Sequence, residues 1–456
     1  MKFTDAIIAK FEQRKPFSVM SRILLAHTLS ATRLDKIFAD HCESQVPSET
    51  LKFSTVAEIL GDVVSRIHPS VNAAYVDREM GVSVNSVYNK LNGVETQVSR
   101  AIVRETANGM RDIIRELDGM AKPLLQGYRV KVFDGNHLRR TDSRIGVLRD
   151  ENVAPLPGKS LVIYDPEYRL AIDVIPCECG HASERSLFPS LLETVERDDA
   201  VVADRNFCTI AFLAGIAERR ARFVIRQHGQ MPYELKGKRR WVAEIETGQV
   251  YEQTMHIVDA KGNVLIFRRI TVHLFEPTRD GDVEIQIITN LPKSAAKAAK
   301  IARLYRKRWT IETAFQKMAE NLEGEIQSLG YPKAALFGFC LALTSFNVYS
   351  TMNATVQASH GEDAADELSI YYVSNEIKSA REGMDVAIDK GYWLDRYSHK
   401  THKQVAVDLK RIAKSIHLKK YKKNKWTPKT KKKKQDKTNR QHASTCKLLK
   451  AAREAG

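Results

Sequence analysis

The chain has 456 residues, with 72 Lys plus Arg against 55 Asp plus Glu and a net charge of +17. That length exceeds one ordinary domain and points to two to four, with a composition ordinary for a soluble protein. Six dispersed cysteines argue against a disulfide framework and for a reducing cytosol, and Lys10, Glu12, Arg14 and Lys15 interrupt any secretory apolar run at the start.

Up to about residue 125 the pattern is helical, with helices expected over 17–34, 55–67 and 99–117. Residues 73–93 stand apart. They read as a short helix, a turn at Gly81, a second helix capped by Ser83 and a stop at Gly93. This is the helix-turn-helix pattern, whose second helix enters the major groove of DNA. Asn85, Ser86, Asn89 and Lys90 are then the side chains facing bases or phosphates. An ordinary helical corner packed through Val82, Val87 and Leu91 fits the same residues.

From about Gly127 the pattern changes to strands, expected over 128–134, 160–164 and 170–175. A helix over 184–196, a strand over 200–204, a helix over 209–219 and a strand over 221–227 follow. Residues 229–291 contain β-rich runs at 264–268, 270–275 and 283–289 with almost no helical period, and read as an inserted β-rich subdomain. Helix returns near Ser294. The stretch 334–359 is uncharged, but Thr344, Asn347, Thr351 and Asn353 within it argue for a buried helix over a membrane-spanning one.

The basic excess belongs to the end of the chain. Residues 401–450 hold 18 Lys plus Arg against only Asp408 and Asp436, which leaves the first 400 residues nearly neutral. Such a tail attracts a polyanion by counterion release without reading its sequence. Val405, Leu409, Ile412 and Ile416 recur near helical spacing, so its first part is a candidate amphipathic helix, with disorder expected beyond about Asn424. Cys177-Glu-Cys179-Gly-His181 has the look of a zinc half-site without a second pair, and free thiols are the expectation.

Three acids carry the chemistry. Asp134 in Val132-Phe133-Asp134-Gly135 and Asp204 in Val201-Val202-Ala203-Asp204-Arg205 each end a β-branched run and precede turn residues. Each alone is an ordinary turn or cap residue. If the two strands are parallel neighbours, both carboxylates sit at one edge of a sheet, where α/β proteins bind ligands. Glu312 lies in Tyr305-Arg-Lys-Arg308-Trp-Thr-Ile-Glu312, where Tyr305, Arg308 and Glu312 share one face of a helix. Ile301, Leu304, Ile311, Phe315 and Met318 give that helix an apolar stripe. Clustered carboxylates repel, and a divalent cation is one reason to gather them. Asp134, Asp204 and Glu312 are therefore the candidate catalytic and metal-ligating triad, for two Mg²⁺ ions with Mn²⁺ as a substitute.

These motifs together resemble a DDE transposase of a bacterial insertion sequence, in the group named for a Tyr-Arg-Glu-Lys signature. The resemblance covers roughly residues 125–350, and the signature's Lys position falls on Ala319, with Lys317 nearby. It implies an α/β fold: a ribonuclease-H-like core (126–228 and 292–330) interrupted by a β-rich insertion (229–291). A helical DNA-binding region (1–125), a helical C-terminal region (331–400) and a basic tail (401–456) flank it. It also implies cleavage and joining of double-stranded DNA at transposon ends, a homodimer that brings two ends together, and work in the cytoplasm at the nucleoid. Tyr305, Arg308, Trp309 and Arg205 are the candidate DNA contacts near the cut. A nuclease that never joins strands and a silent DNA-binding regulator are the alternatives.

Overall fold

The computed structural model describes residues 2–44, 48–78, 80–138, 154–278, 281–424 and 442–455. Among the described residues seven helices come first: α1 (Lys2–Arg14), α2 (Pro16–Thr28), α3 (Ala31–His41), α4 (Phe53–Val64), α5 (Val71–Val76), α6 (Val84–Gly93) and α7 (Thr96–Leu117). The single helix expected over 17–34 is broken in two. Ser30 stops it by capping α3, its hydroxyl accepting the Arg33 amide at 3.4 Å.

The strands are β1 (Arg129–Leu138), β2 (Ala154–Leu156), β3 (Gly158–Asp165), β4 (Leu170–Cys177), β5 (Asp199–Ala203), β6 (Arg222–Arg226), β7 (Glu234–Ile245), β8 (Gly248–Val258), β9 (Val264–Leu274) and β10 (Glu284–Thr289). All but β2 join one mixed nine-stranded sheet in the order β4-β3-β1-β5-β6-β10-β9-β8-β7. β1 pairs antiparallel with β3 and parallel with β5, and β6 continues parallel to β5. Between these strands lie α8 (Phe188–Leu192) and α9 (Ile210–Glu218). The helix expected over 184–196 shrinks to a 3-10 turn at Glu184–Leu187 followed by the five residues of α8.

Residues 229–291 differ from the expectation. They supply β7 and β8, which the sequence did not announce, and β9 is one strand where two runs were expected. They build no separate sheet, because β10 docks antiparallel on the open edge of β6. Thr289 Oγ1 donates to the Phe223 carbonyl at 2.5 Å, and the Asn290 side chain holds Phe223 and Ala221 at 2.9 and 3.0 Å. These strands therefore widen the sheet that contains β1 and β5.

After the sheet come α10 (Ala298–Arg306), α11 (Trp309–Asn321), α12 (Pro332–His360), α13 (Glu362–Asp366), α14 (Ile370–Ala387), α15 (Lys390–Tyr397) and α16 (His402–Lys414). α12 is long and apolar enough to cross a membrane, yet its apolar window is 89% buried inside the protein. Its polar side chains are used internally. Asn347 accepts the Ala171 amide and donates to the Ala171 carbonyl, both at 2.8 Å, so it closes the free edge of β4. Thr344, Thr351 and Thr355 return their hydroxyls to carbonyls one turn back.

The segment expected as a basic tail starts inside the body. α16 opens with a capping box of Thr401 and Gln404 and buries Val405, Ala406, Leu409 and Ile412 against α7 and α12. Tyr421 is buried against Phe17. Amphipathic spacing beats charge here, since one apolar stripe is enough to dock a helix whose other face is lysine-rich. The densest lysine run, 431–434, lies outside the described residues. Beyond it, β11 (His442–Ser444) pairs parallel with β2 and leads into α17 (Thr445–Glu454). Cys177 and Cys179 are free thiols at the end of β4, and the Cys179 sulfur lies 3.2 Å from Ser444 Oγ.

Candidate active site

In the parallel register of β1 and β5, Val132 stands level with Val202. Two residues further on lie Asp134, still within β1, and Asp204, the first residue beyond β5. Adjacent strands lie about 5 Å apart, so the two carboxylates spring from neighbouring backbone positions. Asp134 is mostly buried, and its Oδ1 accepts the Gly135 amide at 3.1 Å. Burial above all pushes its carboxyl up to about 7; Asp204 and Glu312 add to the rise, and Arg308 opposes it. Asp204 caps the short turn Arg205–Phe207 by accepting the Asn206 amide at 2.9 Å.

Glu312 comes from the first turn of α11. Arg308 Nη1 lies 2.6 Å from Glu312 Oε1 and 4.0 Å from Asp134 Oδ2, so one guanidinium bridges the helix acid and the strand acid. Arg308 is only 8% exposed, and its guanidinium lies 4.8 Å from the centre of the Trp309 ring. Trp309 itself is exposed. Tyr305 is buried, and burial pushes its phenol up. The single helix expected through 305–312 is not continuous. The amides of Lys307 and Arg308 bond carbonyls three residues back, Leu304 and Tyr305, at 2.9 Å each. That tightens the chain into a turn between α10 and α11. The Arg308–Glu312 contact survives because Arg308 keeps helical backbone angles.

The donor set suits a hard divalent cation: carboxylate oxygens only, one of them mostly buried and raised chiefly by that burial. The side chains do not yet converge on one. Among the described residues no three His, Cys, Asp or Glu are gathered closely enough to hold a metal ion, and Glu312 is engaged by Arg308.

A fourth acid was missed. Glu184, in the turn after β4, packs on Gly135 so tightly that a Cβ there would stand 2.5 Å from Glu184 Oε1. Burial raises its carboxyl, Lys159 opposes this, and the charge of Asp204 adds to it. His137 Nε2 lies 3.9 Å away. The sequence carries little signal for it, because Glu184 sits on a turn with no period.

Residues 127–343 match the family described as "Transposase DDE domain". This stretch is similar to a transposase DDE domain. A protein of Sinorhizobium fredii (strain NBRC 101917 / NGR234) named "Putative transposase y4zB" is 32% identical over 133 residues, which are 28% of this chain and 35% of that protein. The chain thus matches about a third of the length of that relative. The matched stretch spans β1, β5 and the first turn of α11, so all three candidate acids lie within it.

One expectation ahead of the matched stretch needs correction. In the hairpin of α5 and α6, Ser83 caps α6 as expected and Asn85, Ser86 and Asn89 are exposed. Lys90 is not. Its ammonium donates to the Leu51 carbonyl at 2.7 Å and lies 5.1 Å over the Phe38 ring. Lys90 lies three residues after Val87 and next to Leu91, both fully buried, so helical period carries it to the packed face. Lys317, the lysine near the signature position, is half-buried, and burial depresses its ammonium beside Lys423 and Arg169. Arg205 is exposed, and it adds to the effect of Arg226 in keeping Asp282 ionised.

Proposed function

We propose that this chain binds the ends of a bacterial insertion sequence and cuts and joins DNA there, with Asp134, Asp204 and Glu312 as its catalytic carboxylates. The observation that carries this is the meeting of Asp134 and Asp204 on adjacent parallel strand ends, with Arg308 linking Glu312 to Asp134. The sheet order β4-β3-β1-β5-β6, three antiparallel strands followed by two parallel ones, supports a ribonuclease-H-like core. The basic charge after residue 400 supports a polyanionic partner. Two ends must meet, so a homodimer working on double-stranded DNA at the bacterial nucleoid, in the cytoplasm, belongs to the same reading.

Divalent cations, Mg²⁺ first and Mn²⁺ as a substitute, would be held by these three carboxylates and supply Lewis-acid activation of water or of a DNA 3′-hydroxyl. The side chains do the rest. Asp134 would serve as a ligand in its ionised form, its proton passing to solvent. Glu312 leaves Arg308, which frees that guanidinium to take a phosphate in two parallel hydrogen bonds. Tyr305 backs Arg308 from the buried side. Trp309, already exposed, stacks on an unpaired base, and Arg205 steadies the backbone next to Asp204. In the hairpin, Asn85 and Asn89 face DNA.

The test incubates purified protein with element-end DNA and Mg²⁺. Asp134→Ala, Asp204→Ala and Glu312→Ala each abolish cutting while end binding survives, and undiminished cutting in any one removes that residue from the triad. A target plasmid added to the same reaction separates a transposase from a nuclease, since only the former joins strands. End binding without any nick in the wild-type protein would make the chain a regulator.

A further inference from the structure

The helix that carries Glu312 is fixed at its far end by a residue from the N-terminal helices. α11 stops at Asn321, and the last carbonyls of a helix have no partner within it. Arg66, just past the end of α4, supplies donors to three of the carbonyls there. Its Nη1 donates to Glu320 O at 2.8 Å, and its Nη2 to Ala319 O and Leu322 O at 3.1 Å each. Its Nε lies 3.4 Å from Glu323 Oε2, while the Glu323 amide donates to Val64 O at 2.8 Å. Only a planar guanidinium reaches so many acceptors at once, and its charge suits the negative end of the helix.

The backbone is bent to make this contact. Arg66 has φ 57°, a left-handed conformation that non-glycine residues adopt only where their surroundings impose it. The chain folds back at once, with the Ile67 amide on Asp62 O at 2.8 Å. The other end of α11 does not continue α10, since the turn at Lys307 and Arg308 separates the two helices. The direction of α11 is therefore not inherited from α10, and the Arg66 contacts hold its far end. The candidate DNA-facing hairpin begins only five residues after Arg66, at Val71.

We infer that Arg66 is a positioning residue for the reaction, setting the helix of Glu312 from the N-terminal region. This rests on the transposase reading above.

Hydrogen exchange and cleavage on the full chain test it together. In Arg66→Ala, peptides covering 309–321 should exchange at least tenfold faster while those of β1 and β5 stay unchanged. Single-turnover cutting at saturating end DNA should fall about tenfold or more, since small misplacements of a catalytic group cost rates of this order. End affinity should stay within about twofold, a split that a loss of overall stability does not produce. Arg66→Lys keeps the charge but not the fork; it should fall between the two, and it serves in place of the alanine variant if that one fails to fold. Unchanged exchange in 309–321, or faster exchange with full cutting, overturns the inference. If the wild-type protein cuts no end DNA, the transposase reading fails by itself. A Mn²⁺ titration followed by electron paramagnetic resonance then replaces cutting as the readout. Weaker Mn²⁺ binding with faster exchange keeps Arg66 as the anchor of Glu312, and unaltered binding removes it.

Discussion

Two halves of one hydrogen-bonded sheet behave differently. β3 is buried at every residue from Gly158 to Asp165, whereas β7, at the far edge of the sheet, is exposed over most of its length. The inner half is clothed in helices, and its charges are set in defined pairs: Lys131 lies 2.7 Å from Asp199, which is fully buried, and Arg129 lies 2.8 Å from the same carboxylate. The outer half presents Lys236, Lys238, Arg239, Arg240 and an exposed Trp241 to solvent. The lesson concerns dielectric. Asp134 at the end of an inner strand is held largely out of water, and its carboxyl is raised chiefly by that burial, with the charges of Asp204 and Glu312 adding to it. Lysines along the outer edge feel water, and they keep a naked strand from pairing with another chain.

The largest effect that can break this comparison is on cutting. Asp134→Ala should lower the rate of DNA cleavage about a thousandfold or more, because the residue acts within the catalytic unit. Arg240→Ala on β7 should leave the rate at saturating DNA within about twofold, since an exposed charge remote from the chemistry acts on encounter and not on the chemical step. Equal losses in both variants would end the idea that chemistry is confined to the inner half.

Next in size is a stability difference. Lys131→Ala removes the ammonium from a buried pair and leaves Asp199 to Arg129 and to the Glu196 amide, which it accepts at 2.7 Å. Breaking a buried pair from one side costs about 3 kcal/mol, readable as a lower midpoint in urea unfolding. A loss under about 0.5 kcal/mol would mean that water reaches Asp199 after all.

The inner half was also the more legible in the sequence, for the same physical reason. Strands buried on both faces read as unbroken β-branched runs, and Asp134 and Asp204 stood out because they end such runs. β7 was invisible. A strand wet on both faces has no reason to alternate, and Lys236-Gly-Lys238-Arg239-Arg240 reads as a loop. Lys90 was misread although its spacing from Val87 carried the answer, because a lysine beside asparagines suggests a polar face. The break at Lys307 and Arg308 left no trace, since no Gly or Pro marks it. Glu184 and Arg66 were hidden because each acts through a contact far away in the chain, with Gly135 and with the end of α11.

Asp134 permits a sharper test of the inner dielectric. Its carboxyl sits at about 7 in the folded protein against an ordinary value of 3.8. A raised acid binds its proton more tightly in the folded state, so its contribution to stability is present below pH 3.8 and is lost as pH rises through 7. Asp134→Asn mimics the neutral acid. Without metal it should therefore stabilise the protein at pH 8 by on the order of 2 kcal/mol, discounted for partial exposure, and change little at pH 4. Melting curves at the two pH values measure the difference. Added Mg²⁺ should shrink the gap at pH 8, because a cation rewards the ionised carboxylate of the wild-type protein. The same gain at both pH values would show that the substitution acts through packing and not through charge.

The smallest expected effect completes the contrast. Lys236 is paired with Glu234 on β7, and both side chains are exposed. Lys236→Ala should not change the unfolding midpoint, because an exposed pair gains little over two hydrated ions and spends side-chain entropy to form. What it should change is self-association: with a positive charge gone from the open edge, light scattering at high protein concentration should rise. A clear loss of stability instead would mean that β7 is covered in solution, by a second copy or by DNA, and the outer half would then be as enclosed as the inner one.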